Sequence, residues 1–271
     1  MPFVDLGAVH LHYLDEGDGA PLVLLHSLGG SSAMWAEIMP TLRQRFRVIA
    51  PDLRGHGRST QGIAAEIGPC ADDIVCLLDH LGISRSAFIG ISMGGQIAMK
   101  IATRGDRRVL AMVLANTSAG AAVRDSSPLD EVRTRIDHTG WPHFAREYVA
   151  SRLAPKTSGP QVEEYVRSVI GATPEVFVQT IASILEQDLR PVLCKVDCPT
   201  LVLTGDSDIS TPLAAAEELR AAIPKAKLVV LSRAGHFSVL DQPEEFAARS
   251  VSFLAGHEDG AHPGRIASSS G

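Results

Sequence analysis

Cysteine and aromatic residues are scarce in this chain of 271 residues, which holds four cysteines, two tryptophans and three tyrosines. Neither cysteine pair, Cys70 with Cys76 or Cys194 with Cys198, has the two-residue gap of a zinc knuckle or a thioredoxin-type redox site. We therefore expect reduced thiols that behave as small apolar side chains. The sequence also lacks G-x-G-x-x-G and G-x-x-x-x-G-K-[ST] motifs and any metal-ligand spacing, so we predict no cofactor and no metal.

Long apolar runs and clusters of basic charge are missing as well. The longest apolar stretch, Val109 to Ala115, is far shorter than the roughly 20 residues that cross a bilayer. Residues 1–5 lack the basic and apolar regions of a signal peptide. The chain has 31 acidic against 25 basic residues, a formal net charge of -6, and no run of Lys or Arg. We predict a soluble, cytoplasmic protein that binds a small molecule and neither nucleic acid nor membrane; the sequence leaves its oligomeric state open.

Short apolar runs alternate with amphipathic segments along most of the chain. Buried strands are predicted at 21–26, 46–50, 87–91, 109–114, 199–204 and 227–231, and helices at 33–45, 71–81, 93–104, 212–222 and 243–254. Because the strand runs are almost wholly apolar and helices separate them, they favour a parallel sheet covered on both faces. A more alternating pair, 3–6 and 10–14, predicts an antiparallel hairpin at the sheet edge.

The pattern changes between residues 121 and 193, where helical stretches replace the buried strands. These stretches are predicted at 129–138, 143–153, 161–170 and 174–187. We predict a core made of residues 1–120 and 194–255, a helical cap at 121–193 that acts as a lid, and a disordered tail at 256–271.

A G-x-S-x-G motif places a candidate nucleophile at Ser92, directly after the predicted strand 87–91 and at the start of a helix. This context predicts the tight strand-to-helix elbow that exposes a serine hydroxyl at the edge of a sheet. Backbone N–H groups must then stabilise the negative charge that develops on an attacked carbonyl oxygen. We expect these donors to be Met93, which follows the nucleophile, and Leu28, in the loop 26–30.

A serine hydroxyl needs a base, and ten histidines compete for that role. His236 is favoured because it follows the last predicted strand, where a loop reaches the carboxyl edge of the sheet. His56 is expected to fix a loop through side-chain hydrogen bonds. The carboxylate that orients the base should follow the strand 199–204, where Asp206 and Asp208 both fit and spacing alone does not choose between them. Thr211 is predicted to cap the next helix, with Pro212 as its first residue.

These motifs resemble those of the α/β-hydrolase superfamily, and the resemblance runs from about residue 3 to residue 254. It is carried, in the family's order, by Leu25–Gly30, Ala50–Ser59, Gly90–Gly95, Gly205–Asp208 with Pro212, and Gly235–Phe237. The resemblance implies an α/β fold with a mostly parallel eight-stranded sheet flanked by helices and a helical cap inserted after strand 6. It also selects Asp208, because the family's acid ends a G-x-x-D motif with a proline four residues later.

Within the superfamily, the chain is most similar to the 3-oxoadipate enol-lactonase branch, whose members open an enol-lactone that bears a carboxylate. The similarity rests on the H-S-L-G form of the loop 26–30, on Met34 and Trp35, on the segment Val113–Ser118 and on the predicted cap that ends at Leu189. The chain departs from the branch at residues 151–155, where an Arg-Trp-Phe-type cluster is usual. The resemblance therefore implies a serine hydrolase of a carboxylic ester or lactone and leaves the particular lactone open.

Pocket residues are predicted from position alone. We expect Ser27, Trp141 and His143 to line the substrate pocket, and Trp35 either to line it or to belong to the core. Candidates for pairing with a substrate carboxylate, or alternatively for a solvated surface, are Arg124, Arg133, Arg135 and Arg152.

Several other activities occur on the same scaffold. Ser92 argues against epoxide hydrolases and haloalkane dehalogenases, which use aspartate at the elbow. Carbon–carbon hydrolases and acyltransferases or perhydrolases share the triad and remain alternatives. A non-catalytic ligand receptor is a further alternative, although such proteins commonly lack a member of the triad that is complete here.

Overall fold

An eight-stranded sheet forms the centre of the structure, a computed structural model that describes residues 2–105, 107–120 and 129–257. Its strands are β1 (Phe3–Asp5), β2 (His10–Glu16), β3 (Ala20–Leu25), β4 (Phe46–Pro51), β5 (Ser86–Ile91), β6 (Val109–Ala115), β7 (Thr200–Gly205) and β8 (Ala226–Leu231). They lie in the order β1-β2-β4-β3-β5-β6-β7-β8. Strand β2 is antiparallel to both neighbours, and all other neighbouring pairs are parallel. The predicted fold and its antiparallel edge hairpin are confirmed.

Helices cover both faces of this sheet. Within the described residues they are α1 (Met39–Leu42), α2 (Ile67–His80), α3 (Met93–Ala102), α4 (Leu129–Thr139), α5 (Trp141–Ala150), α6 (Pro160–Gly171), α7 (Pro174–Glu186), α8 (Leu213–Ala222), α9 (Ser238–Asp241) and α10 (Pro243–Leu254). Short 3-10 helices lie at Ser32–Trp35, Arg190–Lys195 and Ala255–His257. No single helix in these parts of the chain is long and apolar enough to cross a membrane; α6 and α7 reach that length and composition only as a pair bent by 96°.

Two apolar cores lie on opposite faces of the sheet because side chains alternate along each strand. In β3, Leu22 and Leu24 belong to one core, whereas Val23 and Leu25 belong to the other. The first core is closed by α1, α5, α6, α7 and α10, and the second by α2, α3 and α8. All residues of β5, β6 and β7 are buried, which explains why the sequence shows unbroken apolar runs there.

Proline shifts two of the predicted helices. The predicted helix 33–45 is divided into the 3-10 helix Ser32–Trp35 and the short α1, with Pro40 in the first turn of α1. A proline inside one continuous helix would lose a backbone hydrogen bond and clash with the preceding turn. Pro212 is the N-cap of α8 rather than its first residue, so Thr211 does not cap that helix as predicted.

Helices α4 to α7, called the inserted helices below, lie between β6 and β7 in the chain. The segment that contains them is joined at its base, where the Leu189 N–H donates to the Ala119 carbonyl oxygen at 2.6 Å. Residues 121–128 of the predicted cap lie outside the described residues. So does the predicted tail from residue 258 onward, whereas residues 256 and 257 belong to the last 3-10 helix.

Candidate active site

Ser92 lies in a sharp turn between β5 and α3, with a φ of 52° and a ψ of -114°. This left-handed conformation is rare for a residue other than glycine and stores backbone strain. The elbow is tight because the helix packs against β3: a Cβ atom added at Gly94 would lie 2.0 Å from the Leu25 carbonyl oxygen. The predicted elbow is therefore present, and it sets the Ser92 hydroxyl at the carboxyl edge of the sheet.

His236 reaches this hydroxyl from the loop after β8. Its Nε2 lies 3.0 Å from the Ser92 Oγ, and its Nδ1 lies 3.0 Å from the Asp208 Oδ2. The imidazole is almost wholly buried, and its backbone N–H donates to the Arg152 carbonyl oxygen at 2.7 Å. The three predicted side chains thus form one hydrogen-bonded series at the ends of three parallel strands.

Asp208 is surrounded by hydrogen-bond donors. Its carboxylate accepts from the Ser210 N–H, from the N–H and hydroxyl of Thr211 at 2.9 and 2.7 Å, and from the Asn116 Nδ2 at 2.9 Å. Burial alone would raise the pKa of Asp208, but the adjacent His236 and the Thr211 hydrogen bonds outweigh it and hold that pKa well below its ordinary range. The carboxylate is therefore charged where it faces the imidazole.

Asp206, the other candidate acid, lies away from His236. Its carboxylate accepts from the backbone N–H groups of Arg233 at 3.0 Å and Ala234 at 3.3 Å. It therefore ties the loop after β7 to the loop after β8. The structure selects Asp208 between the two candidates that spacing left open.

Asn116 takes part in the site, although no separate role was predicted for it. It directly follows β6 in a left-handed conformation with a φ of 45°, and its side chain is fully buried. Its Nδ2 donates to the Asp208 Oδ2 and to the Gly235 carbonyl oxygen at 3.0 Å, and its Oδ1 accepts from the Ser238 hydroxyl. One amide thus holds both the acid and the loop that carries the histidine. An asparagine directly after a buried strand was the available signal.

The loop at residues 26–30, called the β3 loop below, lies beside Ser92. The Ser27 carbonyl oxygen accepts from the Gly30 N–H at 2.9 Å and the His26 Nδ1 at 2.8 Å. Because a trans peptide sets its N–H opposite its carbonyl, the Leu28 N–H points away from these two donors. Leu28 lines the same cavity as Ser92, and Met93 begins α3, where an N–H has no partner one turn earlier in the helix.

Two buried histidines hold the β3 loop as neutral acceptors. The Nε2 of His26 accepts from the Leu53 N–H, and the Nε2 of His56 accepts from the Gly29 N–H, each at 3.0 Å. Burial lowers the pKa of His26, and burial together with the neighbouring His26 lowers the pKa of His56 to about 3. The loop-fixing role predicted for His56 is confirmed.

A cavity of about 300 Å³ opens above Ser92 and His236. Most of its wall is apolar and comes from the inserted helices; the larger side chains are Val132, Phe144, Phe177, Ile181, Ile184 and Leu185. Arg135 and Arg152 also line it, and no acidic side chain among the described residues does. The Arg152 guanidinium lies 4.0 Å from the centre of the Tyr148 ring, and Arg135 pairs with Glu147 at 3.2 Å. Within the same described residues, no group of three His, Cys, Asp or Glu side chains could hold a metal ion.

The structure corrects the pocket predictions for Ser27, Trp141 and His143 and decides between the two alternatives for Trp35. Trp35 is fully buried in the core, because its 3-10 helix turns the ring toward the sheet, and Ser27, within the β3 loop, is fully buried. Trp141 packs against Phe144 and Phe177, and its Nε1 donates to a backbone carbonyl of α6. His143 points to solvent.

Helical periodicity explains the two errors on α5, since Phe144 and Tyr148, four residues apart, are its cavity-lining side chains. His143 instead lies 3.3 Å from Glu147 on an exposed face. Among the arginine candidates, Arg135 and Arg152 line the cavity, and exposed Arg133 pairs with Asp130 at 3.5 Å. Arg124 lies outside the described residues.

The sheet, the elbow and the Ser–His–Asp arrangement define an α/β-hydrolase. A family model described as "alpha/beta hydrolase fold" matches residues 20–172, and a second, described as "TAP-like protein", matches residues 183–257. The chain therefore belongs to the alpha/beta hydrolase fold family, as the resemblance of its motifs implied.

Relatives of this chain are named as hydrolases. RutD of Caulobacter sp. (strain K31), which carries the name of a carbamate hydrolase, is 30% identical over 91% of this chain and 94% of its own length. 3-Oxoadipate enol-lactonase 2 of Acinetobacter baylyi is 29% identical over 88% of this chain and 90% of its own. The solved structure of the enol-lactonase from Burkholderia xenovorans LB400 superposes with a TM-score of 0.84, at 28% identity, over 94% of this chain and all of that one.

Proposed function

We propose that this protein is a serine hydrolase that cleaves a carboxylic ester or lactone through an acyl-enzyme. One observation carries the proposal: Asp208, His236 and Ser92 are joined by hydrogen bonds of 3.0 Å at each nitrogen of the imidazole. This is the geometry in which a base takes the proton of a serine hydroxyl while a carboxylate fixes its tautomer. The relatives named as enol-lactonases support the same chemistry.

The reaction follows from these positions. The Ser92 Oγ attacks the carbonyl carbon while the His236 Nε2 accepts its proton, and the buried Asp208 stabilises the imidazolium. The N–H groups of Leu28 and Met93 bind the oxyanion of the tetrahedral intermediate; one such donor typically contributes about 2.7–4 kcal/mol. His236 then gives its proton to the leaving oxygen, and a water that it activates hydrolyses the acyl-enzyme. In a lactone the leaving oxygen remains attached to the acyl group.

The cavity supports a small substrate that carries a negative charge. Its volume of about 300 Å³ lies at the lower end of the range for ligand pockets. Arg135 and Arg152 bring positive charge to an otherwise apolar wall, and guanidinium groups bind carboxylates strongly. We infer a lactone or ester whose acyl part bears a carboxylate, which is the substrate chemistry of the enol-lactonase branch.

The proposal is tested by p-nitrophenolate release from p-nitrophenyl acetate. We expect turnover by the wild-type protein and a loss of at least about a thousandfold in Ser92→Ala, because the nucleophile is removed. Ser250→Ala is the matched control, since Ser250 is another buried serine, lies in α10 and does not line the cavity. Turnover that survives in Ser92→Ala would show that Ser92 is not the nucleophile. A folded wild-type protein without turnover on this ester or on small lactones would contradict the proposed activity.

A further inference from the structure

The peptide group between Leu28 and Gly29 is held from both sides by buried side chains. Its N–H donates to the His56 Nε2 at 3.0 Å, and its carbonyl oxygen accepts from the Tyr165 hydroxyl at 2.9 Å. His56 lies in the loop after strand β4, whereas Tyr165 belongs to α6, one of the inserted helices. This peptide directly follows the one whose N–H is proposed to bind the oxyanion.

Tyr165 is itself fixed in place. Its side chain is 1% exposed, and its ring centre lies 4.7 Å from that of Phe237, the residue after the histidine of the site. Burial raises the pKa of the Tyr165 hydroxyl well above its ordinary value, so the group keeps its proton and remains a donor. A buried donor in a rigid ring holds its acceptor with little freedom.

Helix α6 also packs directly on the β3 loop. Gly29 has a φ of 74°, and a Cβ atom added there would lie 2.9 Å from the Val169 Cγ2. A second polar contact joins the two segments farther along, where the Ser31 and Ser168 hydroxyls lie 2.8 Å apart. Helix α6 therefore contacts the β3 loop at the Leu28–Gly29 peptide and contacts the chain again at Ser31, just after the loop.

We infer that Tyr165 is a positioning residue for the oxyanion site and acts through the Leu28–Gly29 peptide. Its hydroxyl and the His56 imidazole fix the plane of this peptide and thereby set the direction of the preceding Leu28 N–H. The inference rests on the proposed function, because it assigns Tyr165 to the same transition state. Its consequence is that the inserted helices hold part of the catalytic geometry as well as the walls of the cavity.

The test compares Tyr165→Phe with the wild type on p-nitrophenyl acetate. The variant keeps the buried ring and loses only the hydroxyl. We expect kcat to fall between about tenfold and about a hundredfold with KM nearly unchanged, because the oxyanion forms only in the transition state. Phenylboronic acid supplies a second readout, since it adds to the serine as a tetrahedral anion. Its Ki should rise by a factor similar to the fall in kcat.

Two control variants separate positioning from simple loosening of the structure. Tyr13→Phe removes the hydroxyl of a buried tyrosine in β2, and Ser168→Ala removes the hydroxyl contact between α6 and Ser31, the residue after the β3 loop. Both should keep kcat and the boronate Ki within about twofold of the wild type. Thermal unfolding of all variants reports any general loss of stability.

The outcomes are distinguishable from those of the proposed function. If Ser92→Ala is inactive while Tyr165→Phe keeps the wild-type kcat and boronate Ki, the positioning role is wrong and the proposed function stands. An equal fall in kcat for Ser168→Ala would also overturn it, because any loosening of α6 would then suffice. If Ser92→Ala remains active, the proposed function itself has failed.

Discussion

Asn116 joins the loop of Asp208 to the loop of His236 through one side chain, and its backbone adopts a strained conformation to do so. Its left-handed conformation, with a φ of 45°, costs most residues about 1–2 kcal/mol, although asparagine tolerates it better than others. The conformation directs the amide to Asp208 and to the carbonyl oxygen of Gly235 at once. Local strain is thus retained where it aligns the acid with the base.

Substitution of Asn116 separates backbone strain from side-chain function. Asn116→Gly and Asn116→Ala both remove the amide, so we expect kcat/KM to fall at least about tenfold in each. Alanine tolerates a positive φ poorly, so Asn116→Ala should also be less stable than Asn116→Gly by about 1 kcal/mol. Urea unfolding and ester hydrolysis measure the two effects. Equal stability of the two variants would show that the left-handed backbone carries no cost at this position.

At the scale of single residues, the functional residues that follow strands were predicted from the sequence. Residues whose role depends on contacts with distant segments were missed. Ser92 and His236 were readable because each follows an apolar run and lies within a motif, whereas the choice of Asp208 over Asp206 came only from the resemblance to the family. The roles of Asn116 and Tyr165 depend on contacts between distant segments, which one chain without its fold does not show. His143 was misplaced because the direction of a side chain depends on the rotation of its helix, and for the same reason the sequence left Trp35 open between cavity and core.

Helix α5 and its C-terminal end combine an exposed face with a face toward the cavity. Arg146 points to solvent and pairs with Glu163 at 3.0 Å, whereas Arg152, just beyond the helix, lines the cavity against the Tyr148 ring. The same short segment therefore carries one arginine that can meet a substrate and one that does not line the cavity. This difference makes the pair a test of the inferred substrate charge.

Arg152→Ala should weaken binding of anionic substrates selectively. We expect KM for the mono-p-nitrophenyl ester of glutaric acid to rise about tenfold or more, because a charge-assisted hydrogen bond is worth about 1.5–3 kcal/mol. KM for p-nitrophenyl acetate should change less than about twofold. Arg146→Ala, from the exposed face of α5, should alter neither value. An equal rise in KM for both esters would mean that Arg152 shapes the cavity without recognising charge.

Secondary-structure elements were predictable where a single property of the sequence, such as a continuous apolar run, determined them. The central strands β5, β6 and β7 were found because they are buried on both faces, which makes most of their residues apolar. The segment 33–45 was less readable, because its apolar spacing suits one helix although Pro40 divides it. The spacing of apolar residues alone does not show that a proline interrupts an otherwise helical pattern.

Acid sensitivity of the whole molecule follows from its buried neutral histidines. His56 has a pKa of about 3 when folded, against 6.5 as its ordinary value. Between these values the unfolded chain binds a proton that the folded protein does not, so stability falls as the pH falls. The carboxyl of Asp208 adds to the loss only in the acidic part of this range and below it, because its pKa in the unfolded chain has the ordinary value of 3.8 and is lowered further by folding.

The free energy of unfolding should therefore decrease by about 1.4 kcal/mol per pH unit for His56 alone between about pH 6 and pH 4. His56→Gln removes this titration, and its stability should depend on pH less steeply by that amount, whatever its stability at neutral pH. Urea unfolding of both proteins across this range measures the difference. Parallel profiles would show that His56 is protonated in the folded state.

The hydrogen bond between the Leu189 N–H and the Ala119 carbonyl oxygen holds together the two ends of the intervening segment. For a segment whose ends are held together, doubling its length raises the entropic cost of closing the loop by only about 0.6 kcal/mol. Evolution can therefore replace the whole inserted segment, and change the substrate specificity with it, without altering the sheet. One condition limits the exchange. If Tyr165 positions the oxyanion site as inferred, a replacement segment without a hydroxyl at the Leu28 carbonyl oxygen would keep the nucleophile but hydrolyse its substrate slowly.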